Sequence, residues 1–325
     1  MSFAADQDSQ VTLMTPPESP SSIPLHRPVM VAEVLDLLDP RPGDRALDLT
    51  LGTGGHARAI GERLGPDGLL IGMDADREAL AIARERLAVE MNTPARFFHG
   101  RFSSAPSLMA ELGLHGVDVV LADLGMGTHQ LDDPSRGFSF ESEARLDMRF
   151  DRSQGVSAWE VVNRTPEREM ADIFYHLGEE RYSRQIAAAI CYARAEAPVD
   201  TPAQLSQIIK RVYARRTAGR TWRIHPATRV AMALRIHVND ELAELDALMD
   251  SLPGLLAPGG RAAILTYHSL EARRVKEAWR RQAQAGVLEI LARKPLRPTE
   301  QEVRDNPRAR SAQLRAVRRT AEVSG

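Results

Sequence analysis

Three glycines, Gly52, Gly54 and Gly55, stand between two short apolar runs, and each run carries an acid. Asp48 lies in the first run, four residues before Gly52, and Asp74 closes the second, 19 residues after Gly55. Glycines in that position let the backbone bend sharply and approach a ligand closely. A helix that follows them offers free N–H groups at its start. A carboxylate at the end of the second strand can accept hydrogen bonds from ribose hydroxyls. The chemistry implied is the binding of a nucleoside-containing cofactor. Gly52-x-Gly54-x-x-Ala57 also satisfies the dinucleotide pattern, so NAD stays open as an alternative. Asp48 favours a different ligand, because an acid there can face a cation, and S-adenosylmethionine carries both an ammonium and a sulfonium.

The elements that must position these residues follow from apolar spacing. Val31, Val34, Leu35 and Leu38 form a helical stripe ahead of the first strand, whereas a dinucleotide unit usually begins with the strand. Ala46–Leu51 and Leu69–Met73 read as strands flanking a helix over His56–Leu64, which makes one βαβ unit. A helix over Arg77–Glu90 and strands over Ala95–His99 and Val117–Ala122 extend the alternation, so the fold class is α/β with a doubly wound, mostly parallel sheet. Ligands in such sheets sit beyond the carboxyl ends of the strands. Those ends bring Gly52, Asp74, Phe102 and Asp123 together. The alternation then stops. Glu160–Arg235 reads as helical throughout and is expected to form an inserted domain spanning 131–235. The sheet domain would comprise 26–130 and 236–325, with a turn at Leu255–Gly260, a fifth strand over Ala262–Tyr267 ending at His268, and two last strands at Val287–Ala292 and around Leu314–Arg318. Residues 1–25, rich in Pro, Ser and Gln, read as a disordered tail without an apolar signal core.

Bulk numbers exclude several classes. In a chain of 325 residues, 43% hydrophobic and 26% charged content are ordinary for a globular protein. A net charge of −2 means that any nucleic-acid contact must come from local patches. Cys191 is the only cysteine, so disulfides within the chain and cysteine zinc sites are excluded, and the nine histidines show no ligand spacing. No metal is expected. No run of about 18 apolar residues suggests a membrane span, and a cytoplasmic setting is expected.

Several longer motifs agree in order along the chain: LDLTLGTGGHARAI, DLG followed by QLDDPSRGFSF and LDMRF, HPATRVAMALRIHVNDEL, YHSLEAR and NPRARSAQLR. From His26 to about Arg319 the chain closely resembles the bacterial 16S ribosomal RNA (cytosine-N4)-methyltransferase family. The resemblance implies a class I methyltransferase fold with a seven-stranded sheet and S-adenosylmethionine as donor. The implied acceptor is a cytosine in the decoding region of 16S ribosomal RNA, within the small ribosomal subunit. Gly54, Gly55 and His56 would line the donor with Asp74 on its ribose, and Phe102, Asp123 and Gln130 would complete the pocket. The family usually shows Val-Ser-Ser where this chain has Met126-Gly127-Thr128, and an Asp where it has Ala272. A homodimer is compatible with this reading.

Methyl transfer to an amine is an in-line displacement in which orientation and desolvation dominate. Methylation at cytosine C5 needs a cysteine nucleophile, and Cys191 sits in an Ala-rich helical run far from any strand end, so an exocyclic amine is the better acceptor. Asp123 and His268, each at a strand end, are the candidate catalytic groups. Phe138 and Phe140 could stack a base or pack between domains. Arg215, Arg216, Arg220, Arg229 and Arg235 flank the last inserted helices and are candidates for RNA phosphate contact. The alternatives are an N-methyltransferase acting on DNA or a small molecule, and a non-catalytic ribosome-assembly factor with a vestigial donor site.

Overall fold

The computed structural model describes residues 28–217, 222 and 224–321. The expected tail and Arg220 lie outside them. The first half of the sheet domain runs β1 Arg45–Asp48, β2 Leu69–Asp74, β3 Ala95–His99 and β4 Val117–Asp123. Between and before these strands lie α1 Val31–Leu38, α2 Gly55–Leu64, α3 Arg77–Glu90 and α4 Ala105–Glu111. A short helix, α5 Thr128–Asp132, follows β4. Among the described residues, five helices then follow without a strand between them: α6 Ala158–Arg164, α7 Glu167–Gly178, α8 Ser183–Glu196, α9 Pro202–Thr217 and α10 Thr228–Asn239. The chain returns through α11 Glu241–Leu255, β5 Leu256–Thr266, α12 Ser269–Gln284, β6 Leu288–Ile290, α13 Glu300–Asp305 and β7 Gln313–Arg319.

The seven strands lie in the order β3-β2-β1-β4-β5-β7-β6. The first five are parallel, and β7 runs antiparallel to both β5 and β6. Strand order reverses between β1 and β4, the point at which a crevice opens beyond the carboxyl ends. Alternation along each strand builds two apolar layers. Leu47, Ile71, Val120 and Ile264 face α4, α11 and α12. Ala46, Leu70, Val119 and Ala263 face α1, α2 and α3. A third cluster is confined to residues 138–234, with Phe174, Ile186, Ile190, Ile209 and Leu234 at its centre.

The expected turn at Leu255–Gly260 is instead the start of β5. From Val117 to Val119 β4 advances two residues, while the paired positions on β5 advance five, from Leu256 to Arg261. The Pro-Gly-Gly chemistry that reads as a turn is absorbed in this bulge. At the other end, β1 stops at Asp48, shorter than the expected run. Helix starts follow local caps. The Asp76 carboxylate accepts the N–H groups of Glu78 and Ala79 at the start of α3, and Ser157 and Glu160 form a reciprocal box at the start of α6.

Candidate active site

A cavity of about 350 Å³ opens at the carboxyl ends of β1, β2 and β4, a size suited to a small-molecule ligand. Gly52, Asp74, Phe102 and Asp123 all line it, with Gly55, His56 and Gln130. Gly54 does not. A Cβ there would lie 2.9 Å from the Leu87 side chain, and its φ is +85°, so this glycine lets the loop close onto α3 instead of onto a ligand.

The Asp74 carboxylate accepts the Gly52 N–H at 2.7 Å and the Asp76 N–H at 2.8 Å. It therefore fixes the loop while retaining lone pairs for a ligand. Burial pushes the Asp74 carboxyl up to about 6, against the pull of those two bonds. Asp48, 1% exposed, lies beneath the loop and outside the cavity wall, accepting the Thr50 N–H at 3.0 Å. Burial pushes its carboxyl up to about 6 as well, with repulsion from Asp74 and Asp123 adding to it. Three acids clustered around one loop make a field that favours a cation.

Asp123 is held from several sides. Its N–H donates to Thr50 Oγ1 at 2.6 Å, and Oδ1 accepts the Tyr267 hydroxyl at 2.8 Å. The Tyr267 ring reaches that place because residue 125 is glycine; a Cβ at Gly125 would meet the ring at 2.8 Å. Burial, and then the Asp123 charge, raise the Tyr267 hydroxyl far above its ordinary pKa, so it remains a donor. Sequence reasoning missed Tyr267, although the YHSLEAR motif contains it. His56 Nε2 lies 2.9 Å from the Val29 carbonyl, and Nδ1 lies 3.7 Å from Asp123 Oδ2. A proton on Nε2 donates to that carbonyl and holds the Pro28–Val29 segment against the cavity.

Behind this wall is a buried polar hub that spacing alone does not reveal. Asp76 Oδ2 accepts Gln130 Nε2 at 2.9 Å and Arg136 Nη2 at 2.7 Å, and lies 3.2 Å from His129 Nε2. Arg136 is 1% exposed and also bonds Glu78 and the carbonyls of Arg149 and Phe150. Gln130 lines the cavity, yet its amide is committed, with Oε1 accepting the Gly127 N–H at 3.1 Å. The role of Gln130 here is to brace the loop after β4. Asn239 ties the other end. Its Oδ1 accepts the Phe150 N–H at 2.7 Å, and its Nδ2 donates to the Met148 carbonyl at 2.8 Å. Asn239 and Phe150 both line the cavity as well.

Two of the expected site residues sit in surroundings that their spacing does not reveal. His268 does not line the cavity. It caps α12, with Nδ1 accepting the Glu271 N–H at 3.4 Å. Its Nε2 sits 2.9 Å from Glu271 Oε1, out of line for a hydrogen bond, so that buried nitrogen has no bonded partner among the described residues. Capping the next helix turned this side chain away from the crevice. Arg235 does line the cavity and is no exposed phosphate ligand. Its Nε and Nη2 donate to the two carboxylate oxygens of Glu241 at 2.7 and 2.8 Å. Burial alone would lower its pKa, but the Glu241 and Glu271 carboxylates hold it up, so it is a fixed cation. Glu241, His268 and Glu271 could offer metal ligands within 4.8 Å of one another. The Arg235 guanidinium already occupies the cation position beside Glu241.

Arg215, Arg216 and Arg229 are exposed, the first two in the last turn of α9. Arg229 Nη1 donates to the Glu179 carbonyl at 3.0 Å. Phe138 is buried against Phe150, and Phe140 stacks on His225 at 4.5 Å, so both rings are engaged within the helical layer. Cys191 lies in α8, outside the cavity lining, and burial raises its thiol pKa.

Comparison with known proteins gives the following. A family profile described as the MraW methylase family matches residues 24–320. A protein of Geobacter sulfurreducens named ribosomal RNA small subunit methyltransferase H is 48% identical over 309 residues, covering 90% of this chain and 98% of its own. A protein of the same name from Syntrophotalea carbinolica is 46% identical over 313 residues, covering 90% and 98%. Another from Nitratidesulfovibrio vulgaris is 41% identical over 338 residues, covering 99% and 93%.

Proposed function

The chain belongs to the MraW methylase family, and from that membership we propose that it transfers a methyl group from S-adenosylmethionine to the N4 amine of a cytosine in 16S ribosomal RNA. The observation that carries the reading is the extent of the likeness. It runs through the helical layer as well as the strand-end site, over 90% of the chain at 48% identity to a protein named for small-subunit rRNA methylation. The substrate is taken to be RNA within the small ribosomal subunit, in the cytoplasm. Residues 131–235 are read as the domain that selects it, with Arg215, Arg216 and Arg229 facing phosphates.

When bound, the donor supplies a methyl group made electrophilic by its sulfonium. The residues of the chain do the rest. Asp74 accepts ribose hydroxyls with the lone pairs that Gly52 and Asp76 leave open. Asp48 and Asp123 supply negative potential for the cationic part of the ligand. Phe150 and Asn239, which also line the cavity, would limit the access of water to the bound donor. As N4 forms its new bond it must lose a proton, and Asp123 is the carboxylate at the strand end beside the donor loop. Cys191, outside the cavity, supports attack by the amine over attack through C5.

Methyl-labelled donor incubated with small subunits, naked 16S RNA and DNA, followed by hydrolysis to nucleosides, tests this. The expected product is N4-methylcytidine from ribosomal RNA. Label in 5-methylcytidine, in DNA alone, or nowhere would overturn it.

Donor binding should be linked to protons. With Asp74 and Asp48 pushed up to about 6, both are partly protonated near pH 6, and a cationic ligand favours their ionised forms. Binding at pH 6 should therefore release protons, and at pH 8 it should not. In the donor-free protein these raised groups contribute stability that is fully present below about pH 4 and lost as pH rises through 6. Calorimetry in two buffers of different ionisation enthalpy reads the release directly. Equal apparent enthalpies at pH 6 would contradict it.

A further inference from the structure

We propose that Arg235 reads the O2–N3 edge of the acceptor base, with Glu241 holding the guanidinium in its reading orientation; this rests on the cytosine reading given above. Arg235 reaches the cavity from α10, on the helical side of the cavity that also exposes Asp74 and Asp123. Its side chain is 12% exposed. Nε and Nη2 are fixed on Glu241, while Nη1 makes no hydrogen bond among the described residues. Nη1 is not among the buried atoms without a partner, so it keeps contact with the open cavity, and its N–H groups, with the outer N–H of Nη2, are free to meet acceptors on a ligand.

The surrounding charge selects the kind of acceptor. Glu241 neutralises Arg235 at 2.7 Å, and Glu271 adds a second carboxylate 3.9 Å from Nη2. A phosphate entering this place would meet net negative charge. A base edge without net charge would be repelled far less. Cytosine presents O2 and N3 as two adjacent acceptors, which suits a planar fork of N–H donors. Its N4 amine is the next group along the same edge. A base held by O2 and N3 on Arg235 leaves N4 unpaired beside the fork, open to Asp123 and the donor loop, which line the same cavity. Uracil fails in the same seat because its N3–H would oppose a donor, and adenine has only one acceptor there. Arg235 thus sets base identity, and the exposed arginines of α9 and α10 are left to the RNA backbone.

The test removes one acceptor from the base. Small subunits are reconstituted around 16S RNA in which the cytosine that the wild-type protein labels is replaced by 3-deazacytosine, which keeps the amine and loses N3. Wild-type protein should methylate this subunit with kcat/KM lower by roughly 10- to 100-fold, the usual worth of a paired base contact. Arg235→Gln should methylate the cytosine subunit slower by a similar factor and show no preference between the two bases. Its donor affinity should stay within about twofold, which also reports that it is folded. Equal rates on the two bases with wild-type protein would overturn the proposal, as would an Arg235→Gln protein that keeps the wild-type preference. If Arg235→Gln does not bind donor, Arg235→Lys replaces it, and the wild-type comparison decides independently. Absence of label on cytosine with wild-type protein would instead overturn the function beneath the proposal.

Discussion

Arg136→Ala is expected to destabilise the protein by about 3–5 kcal/mol, the range for breaking a buried ion pair from one side. Arg136 and Asp76 are each 1% exposed, and their 2.7 Å contact joins the loop after β4 to the start of α3. Without the guanidinium, the buried Asp76 charge loses its arginine partner, and so do the carbonyls of Arg149 and Phe150. Burial alone would raise the Asp76 carboxyl, but the bonds from His129, Gln130 and Arg136 outweigh it and hold its pKa far below the usual carboxylate range. A depressed pKa of this kind contributes stability that is present above about pH 4 and lost as pH falls further. The gap between wild type and variant should therefore narrow in acid. Urea unfolding at pH 7 and pH 3 reads both quantities; a shift below about 1 kcal/mol at pH 7 would mean that the hub is not what holds the loop.

The difference between what was legible and what was not follows the range of the interaction. Apolar runs gave every strand of the sheet, because burial repeats along a strand and leaves a pattern in neighbouring residues. Arg77–Glu90 was readable to its ends, since Asp76 caps it from one residue away. Gly52, Asp74, Phe102 and Asp123 were gathered by topology alone. The hub was invisible for the opposite reason. Asp76 and Arg136 lie 60 residues apart, and each reads as an ordinary surface charge. The setting of Arg235 is hidden on the same grounds, because a charge on an amphipathic helix looks solvated until its partner Glu241, across a helix junction, is in view. His268 shows a different limit. The strand fixes where the residue is, but the capping geometry of α12 decides where its ring goes. The glycine triplet had a similar ambiguity, in that Gly52 and Gly55 border the cavity while Gly54 serves packing against Leu87.

Asp123→Asn should lower kcat by about 10²–10⁴-fold, the usual worth of a positioned proton acceptor, while donor affinity, which loses only the Asp123 part of the negative field, falls by a smaller factor. The cytosine amine is a weak nucleophile because its lone pair is conjugated into the ring, and it must shed a proton as the new bond forms. An asparagine fills the same volume and can still accept the Tyr267 hydroxyl through its amide oxygen. It cannot take a proton, and its NH₂ would oppose the amine if turned towards it. The donor keeps Asp74, the Gly52 loop and the Asp48 field, none of which depends on residue 123 for its hydrogen bonds. Tyr267→Phe separates position from charge. It removes the 2.8 Å bond that aims Asp123 and keeps the carboxylate, so a smaller loss is expected, about tenfold. Single-turnover rates on small subunits, with donor affinity measured by calorimetry for each variant, give the comparison. If Asp123→Asn weakens donor binding as much as it slows transfer, the residue acts through the cofactor site alone. If transfer is unchanged, the proton leaves by another path, and Glu271, the other carboxylate bordering the cavity beside Tyr267, becomes the group to replace next.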